Sequence, residues 1–209
     1  MNSADKALKN FLASLVTEER KLLIEQVLDQ RTKHLTVVLE NIYQPQNASA
    51  VMRTCDCFGI QTMYVIENDN EYRINPRVVH GASKWVDLHR YNESSNNTRA
   101  GLEDLKQRGY TLLGTVPDQQ AMDIRKFDFS TPAALVFGTE AQGLSDEAKE
   151  MCDMLVTYPM YGFTESLNIS VSASLCLSAA VDGMRKSLIS WPLPEEDKEE
   201  LRLSWYRYS

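Results

Sequence analysis

No stretch of this chain approaches the roughly 20 consecutive apolar residues that a membrane-spanning helix needs. The opening residues, MNSADKALKNFLASL, lack the unbroken apolar segment and small-residue cleavage site of a secretory signal. A soluble, cytoplasmic protein is expected. Cysteine is sparse: Cys55, Cys57, Cys152 and Cys176, with no Cys-x-x-Cys pair. Cys55 and Cys57 lie two apart in a helical pattern, so they point to different faces. His34, His80 and His89 are scattered. No metal site is expected, and the thiols are expected to be reduced. Common nucleotide and nucleophile signatures are missing too. No G-x-G-x-x-G follows the first apolar run, and neither G-x-x-x-x-G-K-[ST] nor G-x-S-x-G occurs. These absences argue against a Rossmann dehydrogenase, a P-loop NTPase and an α/β-hydrolase. There is no internal repeat and no low-complexity segment.

What is present suits one globular domain with small extensions: 209 residues, 43% hydrophobic and 24% charged. The net charge of −7 argues, taken whole, against a nucleic-acid partner. Its distribution is uneven. Residues 1–34 carry six Lys/Arg against five Asp/Glu, residues 185–209 five against five, and residues 35–184 eleven against nineteen. Local basic spots can still meet phosphate, while solvated surface charge explains the same count.

Residues 6–31 have a helical rhythm, with Thr17 placed to cap a second helix and the stretch 31–34 reading as an exposed hinge. From residue 35 the pattern becomes strand, turn, helix, repeated. Strands are expected at 35–40, 62–67, 85–91, 110–116, 133–138 and 154–160. Helices are expected at 48–58, 96–108, 144–151 (capped by Ser145), 168–188 and, beyond Pro192 and Pro194, 194–206. This alternation predicts an α/β fold: a mostly parallel sheet with helices on both faces. Three units follow: a helical extension at 1–34, the α/β domain at 35–188, and a second helical extension at 189–209. Ligands in such sheets bind beyond the carboxyl ends of the strands.

Three constellations lie there. In NASAVMRTCDCFG, Asn47 stands where a helix cap would, and Arg53 follows on a run of small and apolar residues, suited to an anion or to solvent. In FGTEAQGLS, Gly138 and Gly143 let backbone approach a ligand closely. Glu140 between them either serves a site or favours the next helix's N-terminus. In YPMYGFTESLNISVSASLCLSAAV, the group Glu165, Ser166 and Asn168 is either a capping device or chemistry. Ser170, Ser172, Ser174 and Ser178 read as packing.

The order of the three is specific: N-x5-R-T, then strand-G-x-E-x-x-G-x-S, then P-M-x-G-x3-S-L-N-[IV]-S-V. It resembles the three motifs of the SpoU branch of the SPOUT RNA 2′-O-ribose methyltransferases, over roughly residues 35–188. HGASKWVDLHRY at 80–91 is similar to a segment of the tRNA guanosine-18 2′-O-methyltransferases, the TrmH family. The short terminal extensions resemble that family's tRNA-contacting ones.

The resemblance implies a C-terminal trefoil knot, a topology that chain-path rules would otherwise discard. It implies S-adenosylmethionine as methyl donor, bound by Thr115, Gly138, Tyr158, Met160 and Leu167. It implies methyl transfer to a ribose 2′-hydroxyl of tRNA, at guanosine-18 in the D-loop, with Arg53 catalytic and Asn47, Glu140, Ser166 and Asn168 completing the site. Ribosomal RNA as substrate, or an RNA-binding protein without catalysis, are the alternatives. Arginine is a poor free base, with a pKa above about 12, so a phosphate clamp is favoured for Arg53. A homodimer with this arginine reaching across the interface is implied as well. Arg20, Lys21, Arg31, Lys33, Arg77, Lys84, Arg185 and Lys186 are the candidate basic path for RNA. The chain departs from the family pattern at Ala141-Gln142, Tyr158, Ser172 and Ser174, which bears on the shape of the pocket. Glu165 either touches RNA or favours the helix N-terminus.

Overall fold

In the computed structural model, which describes residues 3–209, the apolar runs become the strands of one seven-stranded parallel sheet. In chain order the strands are β1 (Leu35–Glu40), β2 (Thr62–Ile66), β3 (Asp87–Tyr91), β4 (Thr111–Thr115), β5 (Met122–Asp123), β6 (Ala133–Phe137) and β7 (Met154–Thr157). Their order across the sheet is β3-β2-β1-β6-β4-β7-β5. The helices are α1 (Ser3–Leu15), α2 (Glu18–Leu28), α3 (Pro45–Cys57), α4 (Pro76–Val79), α5 (Asn97–Gln107), α6 (Asp146–Met151), α7 (Ile169–Lys186) and α8 (Glu195–Tyr206).

The period-2 alternation of each strand serves two cores. Leu35, Val37 and Leu39 of β1, with Leu135 and Phe137 of β6, face α3 and α7. Val38 and Val136 face the opposite way, toward α5 and α6. A third cluster joins the two ends of the chain: Val16, Ile24 and Leu28 pack with Leu193, Leu201, Trp205 and Tyr206. Arg202 of α8 reaches Glu25 of α2 at 2.5 and 2.7 Å.

The stretch 31–34 is not an exposed hinge. Thr32 bridges to Ile60, and Arg31 is 1% exposed. Its guanidinium pairs with Asp56, donates to the Ile60 carbonyl at 3.3 Å and lies 5.2 Å over the Trp205 ring. These partners come from distant segments, so no local pattern announces the burial. Other differences are smaller. No pattern in the chain announces β5, whose two residues pair with β7, or α4. The last strand ends at Thr157 rather than at 160. The helix expected at 48–58 begins at Pro45, whose missing N–H suits a first turn.

Glu40 ends β1 as a buried carboxylate. It accepts from Thr98 Oγ1 at 2.8 Å, Ser145 Oγ at 2.6 Å and Ser145 N at 2.9 Å. It therefore ties the starts of α5 and α6 to the carboxyl end of the sheet. Ser145 also caps α6, and Thr17 caps α2, both as expected.

Candidate active site

The chain leaves β1 toward one face of the sheet, into α3, and leaves the neighbouring β6 toward the other, into α6. The carboxyl ends of adjacent strands thus diverge, which opens a crevice where such sheets bind ligands. Across that divergence Asn47 Nδ2 donates to Glu140 Oε1 at 2.6 Å. Asn168 Nδ2 in turn donates to Asn47 Oδ1 at 3.2 Å. Three residues from three separate motifs thereby form one hydrogen-bonded cluster.

Asn47 is not a helix cap. It sits inside the first turn of α3, whose N-cap is Gln44, and its side chain is spent on Gln44, Glu140 and Asn168. At the start of α6 the hydrogen bonds come from Ser145 and Glu40, while Glu140 accepts from Asn47. Asn168 is a cap that also bonds elsewhere: its Oδ1 accepts from Ser170 N at 2.9 Å to cap α7, and its amide reaches Asn47. Only Oε1 of Glu140 is engaged among the described residues.

Beside this cluster a cleft of about 580 Å³ opens over the ends of β4, β6 and β7. Thr115, Gly138, Glu140, Tyr158, Met160, Ser166 and Leu167 all line it, so the five expected cofactor positions share one cavity with two of the expected catalytic ones. The loop after β6 is a tight one. Thr139 and Gly143 exchange backbone hydrogen bonds of 2.9 and 3.0 Å, and a Cβ at Gly138 would overlap the Gly143 carbonyl. Thr115 is held by its hydroxyl on the Val136 carbonyl at 2.9 Å. Arg125 lies 5.5 Å over the Tyr158 ring. Ser172 lines the cleft too, and so do Asp118, Lys149 and Cys176, which sequence reasoning missed. Their common signal is position, since they follow a strand or face its end from a helix. Burial pushes the Cys176 thiol up to about 12, so it is a wall and not a nucleophile.

Arg53 is not brought into this cluster. It is exposed on α3 and makes no side-chain hydrogen bond, ion pair or ring contact among the described residues. Six residues beyond Asn47, it stands about 9 Å further along the helix and about a third of a turn away. Glu165 is exposed, and Ser166 lines the cleft without a hydrogen bond among the described residues.

The eight candidate RNA contacts separate. Arg31 is a correction: buried and paired with Asp56, it cannot meet a phosphate without unfolding the joint between α2 and the sheet. Lys21 pairs with Glu18 at 2.7 Å, Lys33 with Asp197 at 3.1 Å and Lys186 with Asp182 at 2.6 Å. Arg20 lies over Trp85, and Arg185 lies over Trp191 and bonds Gln30. Arg77 and Lys84 are exposed, with no side-chain hydrogen bond, ion pair or ring contact among the described residues. Among the described residues no helix is long and apolar enough to cross a membrane.

Residues 34–178 match the model of the SpoU rRNA Methylase family. A tRNA (guanosine(18)-2′-O)-methyltransferase of Borreliella burgdorferi is 39% identical to this chain, covering 94% of it and 88% of the relative. The crystal structure of the Aquifex aeolicus TrmH/SpoU tRNA modifying enzyme superposes with a TM-score of 0.79 at 31% identity, covering 91% of this chain and 96% of the other. That of the SpoU methyltransferase AviRb from Streptomyces viridochromogenes, in complex with the cofactor AdoMet, gives 0.63 at 26% identity, covering 78% and 62%.

Proposed function

This chain belongs to the SpoU methylase family, and from that premise we propose that it methylates the ribose 2′-hydroxyl of guanosine-18 in tRNA, with S-adenosylmethionine as donor. The observation that carries the reading is the Asn47–Glu140–Asn168 cluster at the rim of the cleft lined by Thr115, Gly138, Tyr158, Met160, Ser166 and Leu167. The cleft fits the donor by size, within the roughly 300–1,000 Å³ of small-molecule sites. It fits by chemistry as well: strand-end and glycine backbone groups for polar edges, Met160 and Leu167 for apolar ones. The trefoil path implied by the motifs is the way we infer the 138–168 segment is locked around it. When bound, the donor supplies an already activated methyl group on a sulfonium.

The protein's part is therefore alignment and removal of one proton. Asn47 holds Glu140 by Oε1, which leaves Oε2 as the acceptor that the rim offers to a ribose hydroxyl. Asn168 holds Asn47, and through its cap it ties that pair to α7. Glu140 Oε2 would take the hydroxyl proton as the ribose oxygen accepts the methyl group that a donor held by Thr115, Gly138, Tyr158, Met160 and Leu167 would supply. Arg53 clamps an RNA phosphate, for which its planar, permanently charged fork is suited.

Arg53 stands away from the cluster of its own chain, which supports a site completed by a second copy. The exposed apolar side chains of Tyr161, Phe163, Val171 and Leu188 support the same homodimer. A tRNA substrate supports a cytoplasmic enzyme.

The deciding experiment incubates the purified protein with labelled S-adenosylmethionine and either tRNA transcripts or ribosomal RNA, then maps the methylated nucleoside by mass spectrometry. Label in 2′-O-methylguanosine at position 18 is expected. Label confined to ribosomal RNA, or none at all, would overturn the reading.

A further inference from the structure

Most cations of this chain are neutralised within the fold. On the α3 side of the sheet, Asp56 is taken by Arg31, Glu71 by Arg73 at 3.0 Å, and Glu67 by Arg90 at 2.5 Å. These three carboxylates are thus already engaged. Arg53, Arg77 and Lys84 remain exposed, without a side-chain hydrogen bond, ion pair or ring contact among the described residues.

These three are carried by neighbouring elements. Helix α3 packs against both α4 and the short turn at 82–84. The Ser49 hydroxyl accepts from Asn75 N at 2.8 Å, and the Asn75 side chain accepts from Arg77 N at 3.0 Å. Arg53 lies four residues after Ser49, one turn on along the same face of the helix. Its neighbour Thr54 faces the other way, toward Ser174 of α7 at 3.2 Å. Arg53 therefore overhangs the α4 side, where Arg77 begins and Lys84 follows. No fold contact requires any of the three charges, and together they concentrate positive charge on a protein whose net charge is −7.

Resting on the reading above that Arg53 holds an RNA phosphate, we propose that Arg77 and Lys84 extend that clamp into a track for the sugar–phosphate backbone, over α4 and the 82–84 turn. An arginine offers a bidentate fork and a lysine a point charge to successive phosphates. The track narrows the basic path to cations that have no competing partner. Lys21, Lys33 and Lys186, each already paired, lie outside it.

The test measures tRNA-transcript affinity by fluorescence anisotropy across a salt series, for the wild type, Arg77→Gln, Lys84→Gln, the double variant and a Lys186→Gln control. Each track substitution should raise Kd by about 3-fold or more and lower the slope of log Kd against log salt by about 0.7–0.9. Turnover at saturating tRNA and S-adenosylmethionine affinity should stay within about twofold of wild type, as for contacts that bind without reacting. Lys186→Gln should change neither Kd nor slope. Unchanged Kd and slope in the double variant, alongside a wild type that methylates tRNA, would overturn the track. So would a drop in turnover with affinity intact. Absence of methylation by the wild type would instead refute the function, and is scored separately.

Discussion

Replacing Gly138 by alanine should dismantle the loop after β6. The new Cβ would overlap the Gly143 carbonyl carbon and oxygen and the Leu144 amide nitrogen. These are backbone atoms, so no flexible side chain can swing aside. The Thr139–Gly143 pair, two hydrogen bonds of 2.9 and 3.0 Å, must open instead. Two backbone bonds at about 0.5–1.5 kcal/mol each, with overpacking at about 1–3 kcal/mol, put the loss at about 2–6 kcal/mol. For a chain of this length that lowers Tm by about 4–24 °C. Gly143→Ala is the comparison. Its backbone has φ +70° with nothing near the Cβ position, so only the left-handed penalty of about 1–2 kcal/mol applies. Circular dichroism melts rank the two, and calorimetry with S-adenosylmethionine reads whether the cleft survives. Gly138→Ala should be the less stable variant and should lose cofactor binding. A Gly138→Ala protein more stable than Gly143→Ala would refute the steric argument.

Three other outcomes are expected. Asn47→Ala removes the bonds to Glu140 and Asn168 without touching the cleft wall; single-turnover methyl transfer should slow by about 10²-fold, the cost of a misplaced group, with S-adenosylmethionine affinity kept. Asp56→Ala strands the buried Arg31 charge; urea titration should show a loss of about 3–5 kcal/mol, and adding Arg31→Met should recover part of it. Glu67 is buried, which opposes its ionisation, but Arg90 and the Tyr72 N–H outweigh burial and hold its carboxyl below the usual 4.5. Its contribution is therefore full above about pH 4.5 and lost as pH falls through the lower folded value; a Glu67→Gln variant should show a shallower acid loss in urea midpoints measured between pH 6 and 3.

Much of the fold was legible in the chain. The switch from period 2 to period 3.6, with turn residues between, placed six strands and the helices that flank them. Thr17 and Ser145 announced their helix starts because a cap bonds only two or three residues away. The three motifs were legible by residue type and order. Their joint meaning was not, since Asn47 reads locally as a cap and Glu140 as a helix-start charge. Partners 93 and 121 residues away in sequence decide otherwise.

Sequence alone therefore determined the α/β class, the family and the residues worth testing, because periodicity and motif spacing are local properties. Tertiary structure alone decided which of those residues meet. A parallel sheet with the order β3-β2-β1-β6-β4-β7-β5 brings together segments that lie far apart in the chain. It joined Asn47, Glu140 and Asn168, left Arg53, Arg77 and Lys84 exposed, and buried Arg31 under Trp205. Charge type is written in the sequence; whether a charge is spent inside the fold or free for a phosphate depends on its neighbours in space.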